Sequence, residues 1–230
     1  MSQVSTWGIA RLIAVKDLRV ERRSRVVLNQ IVPFSALVMV MFAFALDNDT
    51  VLTRVAPGLV WLAAMFSLLI LVQRSFAVEA ADGALDALTV AGVRPGGLFL
   101  GKSIALAVQL AVLEVFVLGL AVVLYQVKFG GAGVLVLVAT FVAATCGLAF
   151  VGTLYGGLSA GAKGRETLLP LLMLPVVTPV LIGATRATEA ALGTNGAASG
   201  EGWPWVGLLT LFAVVFGTGG TYAFGSLIDT

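Results

Sequence analysis

The sequence predicts an all-α integral membrane protein with six transmembrane helices, and three observations predict it. Of its 230 residues, 59% are hydrophobic and only 11% charged, with a mean hydropathy of +1.04. Soluble domains carry about 25% charged residues, so this chain has too little polar surface to coat a water-soluble globule. The apolar residues also fall into long runs, and a helix rising about 1.5 Å per residue needs about 20 of them to cross a hydrocarbon core of about 30 Å. Finally, the runs are continuous, whereas a transmembrane barrel would alternate in segments of about 10 residues. Open strands would leave backbone groups unpaired in lipid.

The whole chain reads as one transmembrane domain, 1–230. Residues 1–26 form a basic segment holding Arg11, Lys16, Arg19, Arg22, Arg23 and Arg25 ahead of any long apolar run. That order predicts an uncleaved tail rather than a signal peptide. Ile9, Ile13 and Val20 share a helical face that Lys16 and Asp17 flank, so the segment reads equally as a membrane-surface helix or a plain basic tail.

Spans are predicted at 27–46, 56–76, 98–127, 132–160, 168–185 and 203–228. With the N-terminus inside, eleven Lys and Arg lie on inner segments. Only Arg54, Lys128 and Arg186 lie on outer ones. Both termini are therefore expected to be cytoplasmic. Trp203, Trp205 and Tyr125 are placed as outer interfacial anchors, Tyr155 and Tyr222 as inner ones, and Trp61 is expected to pack between helices. Pro170, Pro175 and Pro179 each remove a backbone hydrogen bond and are expected to kink or break the fifth span. No earlier span repeats that pattern, which counts against an inverted-repeat transporter.

The composition also excludes chemistry. There is no histidine, so imidazole bases, the usual zinc sites and the usual haem ligand are absent. The single cysteine, Cys146, cannot form a disulfide within the chain. A net charge of +2 gives no footing for nucleic acid. The stretch GAKGRET (161–167) lacks phosphate-loop spacing, and its Lys163 and Arg165 read as positive-inside charges. The chain is thus not expected to be an enzyme or to bind a cofactor or metal itself.

Between the second and third spans, residues 77–97 break the apolar pattern. Asp82 and Gly83 form a turn pair, and Asp82 can cap a short helix. Glu79, Asp82 and Asp86 place negative charge near its start, and Leu85 and Leu88 share one face. Lys102, at the mouth of the next span, is expected to snorkel towards headgroups. The segment reads either as a loop resting on the membrane or as a knob for a soluble partner.

Within the spans, Glu114 is a carboxylate at mid-depth, with Gln109 a little over one turn before it. Such a group must face a partner helix or a wet cavity. It is read either as a pathway or gating residue or as a protonated acid bonded to a neighbouring helix. Gly152, Gly156 and Ala160, and Gly157 with Gly161, follow small-xxx-small spacing, which suits packing within the chain or between subunits.

The acidic–Gly–Leu–Leu…Pro…Gly-Lys pattern of 77–103 resembles the coupling helix of ABC-2-type permeases. LTRVAPGLVWLAAMFSLLILVQRSF (52–76) and GGLSAGAKGRETLLPLLMLPVVTPVLIGATRA (156–187) are similar to the CcmB family of cytochrome c maturation. The likeness covers nearly the whole chain. SFAVEAADG after Arg74 carries fewer charges than that family's pattern, and AGVRPGG is a less proline-rich turn.

The resemblance implies an ABC-2-type permease architecture in a bacterial inner membrane. It implies partners: a separate cytoplasmic ATP-binding subunit, normally two copies, a haem-handling membrane protein and a second copy of this chain. Glu79, Asp82, Gly83, Leu85, Asp86 and Leu88 would dock the ATPase. Gln109, Glu114, Pro175 and Pro179 would be the intramembrane polar and moving elements. Haem would be a substrate of the complex, exported or released on a chaperone. An ABC-2 permease for a lipid or drug, or a membrane scaffold docking a soluble partner, are the other readings.

Overall fold

The computed structural model describes residues 5–46, 48–81, 92–127, 130–159 and 165–228, and these are helical with short connections. Helix α1 (Thr6–Ser24) starts where the Ser5 hydroxyl accepts a hydrogen bond from the Gly8 amide at 3.1 Å. It ends at Arg25, which is left-handed with φ 52°. The Glu21 carboxylate then accepts from the Val27 amide at 2.6 Å and pins α1 to α2 (Val27–Ala45). The first five residues of α2, Val27–Ile31, wind as a π turn.

Helix α3 (Asp49–Ala81) is capped by Asn48, whose carbonyl oxygen accepts from the Thr50 and Val51 amides. Then come α4 (Pro95–Tyr125), α5 (Gly131–Ser159), α6 (Arg165–Leu192) and α7 (Gly202–Ile228). Helices α2 to α7 are the six that are long and apolar enough to cross a membrane.

Helix α5 packs against both α6 and α7, and α3 and α4 close the bundle. Lipid gives no hydrophobic drive for helices to associate, so close packing and interhelical hydrogen bonds must hold them. Several seams carry such a bond. Ser35 meets Ser67 at 3.1 Å between α2 and α3, and Ser103 meets Thr153 at 3.0 Å between α4 and α5. The indole of Trp61 donates to Thr188 at 2.9 Å between α3 and α6. Trp61 is buried among helices, as its depth in the sequence suggested.

Gly152 and Gly156 lie where a side chain would collide with Leu68, Val72 and Phe76 of α3, and Gly157 where it would collide with Phe224 of α7. The small-residue pattern is therefore used within the chain at these three positions. Ala160 and Gly161 lie outside the described residues.

Four expectations change. Residues 6–24 are a helix packed on α4 rather than a plain tail, and Ala10, Ile13 and Ala14 make its buried face while Val20 is exposed. Tyr125 is no interfacial anchor. Its ring is buried and its hydroxyl donates to the Met39 carbonyl at 2.7 Å, which ties α4 to α2. Lys102 does not snorkel; it is 1% exposed. Helix α6 runs on through Pro170, Pro175 and Pro179, so of the expected kink or break the break does not occur. Met173, Val177, Val180 and Ala184 are fully buried along its inner face, so packing offsets the missing backbone bonds.

The start of α4 and the end of α7 lie at the same end of the bundle. Gly96 at the start of α4 abuts Thr221 near the end of α7, and Gly225 abuts Pro95.

Candidate functional site

Of the residues assigned to docking, Asp82, Gly83, Leu85, Asp86 and Leu88 lie outside the described residues. Glu79 lies in the last turn of α3, and its side chain is likewise outside them. The two roots of that connection are described: α3 up to Ala81 and α4 from Pro95.

Between these roots is a buried polar junction. The Lys102 ammonium lies 3.4 Å from the Asp17 carboxylate of α1 and donates to the Ser75 hydroxyl of α3 at 3.2 Å. It also sits 4.5 Å over the Phe76 ring. A buried ammonium is tolerated only when paired and hydrogen-bonded, and the aromatic face adds a further attraction. Three helices thus meet on one side chain. Lys16 pairs with Asp17 at 2.9 Å on the outer side.

The approach of the helices makes the junction possible. At Gly97 and Gly101 a side chain would strike Ile9, Ala10 or Ile13, so the two glycines let α1 lie directly on α4. On the far side of Phe76, Gly156 of α5 leaves room for the ring.

Sequence reading missed this junction. A signal was present: Asp17 interrupts the apolar face of 6–24, and an acid there needs a cation.

Gln109 belongs to the edge of the same region. It is half-buried and shares a crevice with Lys16, Asp17, Glu21, Arg74 and Ser75. It does not join Glu114. Glu114 is 1% exposed, and Thr145 of α5 donates to its Oε2, as the reading of an acid bonded to a neighbouring helix requires. Its Oε1 has no partner among the described residues.

Glu114 borders an apolar groove of about 440 Å³ between α4 and α5, walled by Ala107, Ala111, Val115, Val138 and Val142. A larger groove of about 960 Å³ runs between α5 and α7, past Phe150, Thr210, Val214 and Thr218. Val142 and Cys146 border both.

Pro175 and Pro179 are exposed on the outer face of α6. They line neither groove and meet neither Gln109 nor Glu114. The intramembrane residues therefore occupy three separate places. No cluster of His, Cys, Asp or Glu able to hold a metal occurs among the described residues.

The family model described as CcmB protein matches residues 9–229. Heme exporter protein B of Paracoccus denitrificans is 28% identical over 215 residues, which cover 90% of this chain and 92% of that protein. Heme exporter protein B of Haemophilus influenzae is 29% identical over 204 residues, covering 86% and 91%. Heme exporter protein B of Escherichia coli K12 is 30% identical over 192 residues, covering 80% and 82%.

Proposed function

Since the chain belongs to the CcmB family, we propose that it is the permease subunit of an ABC-type complex for cytochrome c biogenesis, in a bacterial inner membrane with both termini cytoplasmic. A separate ATP-binding subunit, in two copies, docks on the connection from Glu79 to Leu88. Its closure is relayed into the spans and drives either haem export or release of a haem-loaded chaperone from a neighbouring membrane protein.

The observation that carries the relay is the Lys102 junction. The two helices that flank the docking connection, α3 and α4, are tied there to each other and to α1. A push on the connection reaches Ser75 and Lys102 within two turns of where α4 begins. The absence of histidine favours the release reading, because the chain has no imidazole for haem iron, which a partner chain then holds.

The test is co-purification of the chain with its ATPase and measurement of ATP turnover. Asp82→Arg or Leu85→Glu should abolish both capture and stimulation while leaving the protein in the membrane. Full capture and full cytochrome c maturation in both variants would sink the docking assignment.

A further inference from the structure

Glu114 carries a hydrogen-bonding deficit that the packing of the fold does not explain. It is buried in α4 and makes no ion pair among the described residues. Helix α5, packed beside it, holds no charged residue, and Lys102 stands twelve residues away on α4. Thr145 donates to Oε2, while Oε1 has no partner among the described residues. A polar atom left so in an apolar setting is costly, and more so when it carries charge.

The surroundings narrow what could serve that atom. Glu114 borders the groove of about 440 Å³ between α4 and α5, a size within the range of about 300–1,000 Å³ typical of small-molecule sites. Val108, Val115, Val138 and Val142 are exposed along it, so it opens on the outside of the bundle. Apart from Glu114, Thr145 and Cys146, the residues that line it are apolar.

An occupant must therefore have an apolar body, since almost nothing along the walls would bond a polar one. Its single polar group must serve Oε1. An alcohol would form a neutral hydrogen bond, whereas an amine forms a charge-assisted one, about twice as strong. An amine also suits either state of the acid. A carboxylic acid passes its proton from oxygen to the amine nitrogen, and a carboxylate meets an ammonium already formed. Both routes end in the same N–H···O pair. The carboxyl is held by one described bond, and its terminal torsion is soft, so a small turn presents Oε1 to the groove.

We propose that the groove between α4 and α5 is a binding site for a lipophilic amine. Its N–H bonds Glu114 Oε1, and its apolar body lies along Ala107, Ala111, Val115, Val138 and Val142. Burial of the body supplies attraction, and the acid selects the amine.

The test titrates the purified full chain in detergent with decylamine, decanol and decyltrimethylammonium. The concentration dependence of thermal unfolding reads each affinity. Decylamine should bind the wild type about tenfold tighter than decanol. The quaternary ammonium has the charge but no N–H, and should fall well short of decylamine. Glu114→Gln should remove the amine's advantage over the alcohol, and Thr145→Val, which leaves Oε1 in place, should keep it. Ala111→Phe fills the groove without touching the acid and should weaken decylamine and decanol alike, a result that a merely structural Glu114 would not produce. Micelle partitioning is common to wild type and variants, so their ratio reads the site. A wild type that binds decylamine no tighter than decanol overturns the proposal. So does a Glu114→Gln or Ala111→Phe variant that keeps the wild-type affinity for decylamine.

Discussion

Lys102 and Glu114 stand twelve residues apart on α4, about 18 Å along one helix, and each is 1% exposed. Their surroundings differ. Lys102 is met by a carboxylate, a hydroxyl and an aromatic face from two other helices. Glu114 is met by one hydroxyl, and one of its oxygens has no partner among the described residues. Burial alone therefore does not say what a charged residue in a span does. The saturated group ties helices together; the half-satisfied one keeps hydrogen-bonding capacity beside a groove.

The contrast can be broken most forcefully at Lys102. Lys102→Met leaves Asp17 with Lys16 as its described cation and should cost about 3 kcal/mol, the lower end for removal of one partner from a buried pair. Thermal unfolding in detergent reads it. Adding Asp17→Asn should recover part of the loss, and no recovery would mean that the pair itself contributes little.

The next effect comes from the other side of Phe76. Gly156→Ala would drive a Cβ into the edge of that ring, and overpacking of this kind costs about 1–3 kcal/mol. Since the ring also carries the Lys102 ammonium, the Gly156→Ala and Lys102→Met losses should sum to less than additivity predicts. Strict additivity would show that the ring does not couple them.

At Glu114 the effects should be smaller. Thr145→Val removes the described bond and should cost about 1–2 kcal/mol. Glu114→Gln keeps an acceptor for Thr145 and should shift stability by less than about 1 kcal/mol. Should Glu114→Gln unfold the protein as readily as Lys102→Met, the two sites would be structural alike and the contrast would fail.

Much of this was legible in the sequence and some was not, for definable reasons. The six spans follow from run length and hydropathy, which need no knowledge of neighbours. Trp61 was placed correctly because its depth left only helices to pack against. Lys102 and Tyr125 were placed wrongly for the opposite reason. A lysine at a span mouth and a tyrosine at a span end suit an interface, and only a neighbouring helix can draw them inward. For Lys102 that neighbour is α1, whose amphipathic signal Asp17 weakens, and Asp17 is the lysine's own counter-charge. The prolines of α6 were read from their backbone cost; the buried face that offsets it becomes visible only once α6 is packed.

Cys146 lies on the ridge of α5 between the two apolar grooves, and it is the chain's single thiol. The protein is therefore ready-made for single-label spectroscopy, with no background cysteines to remove. A nitroxide or a small fluorophore attached there would report on both grooves at once, in the unaltered sequence.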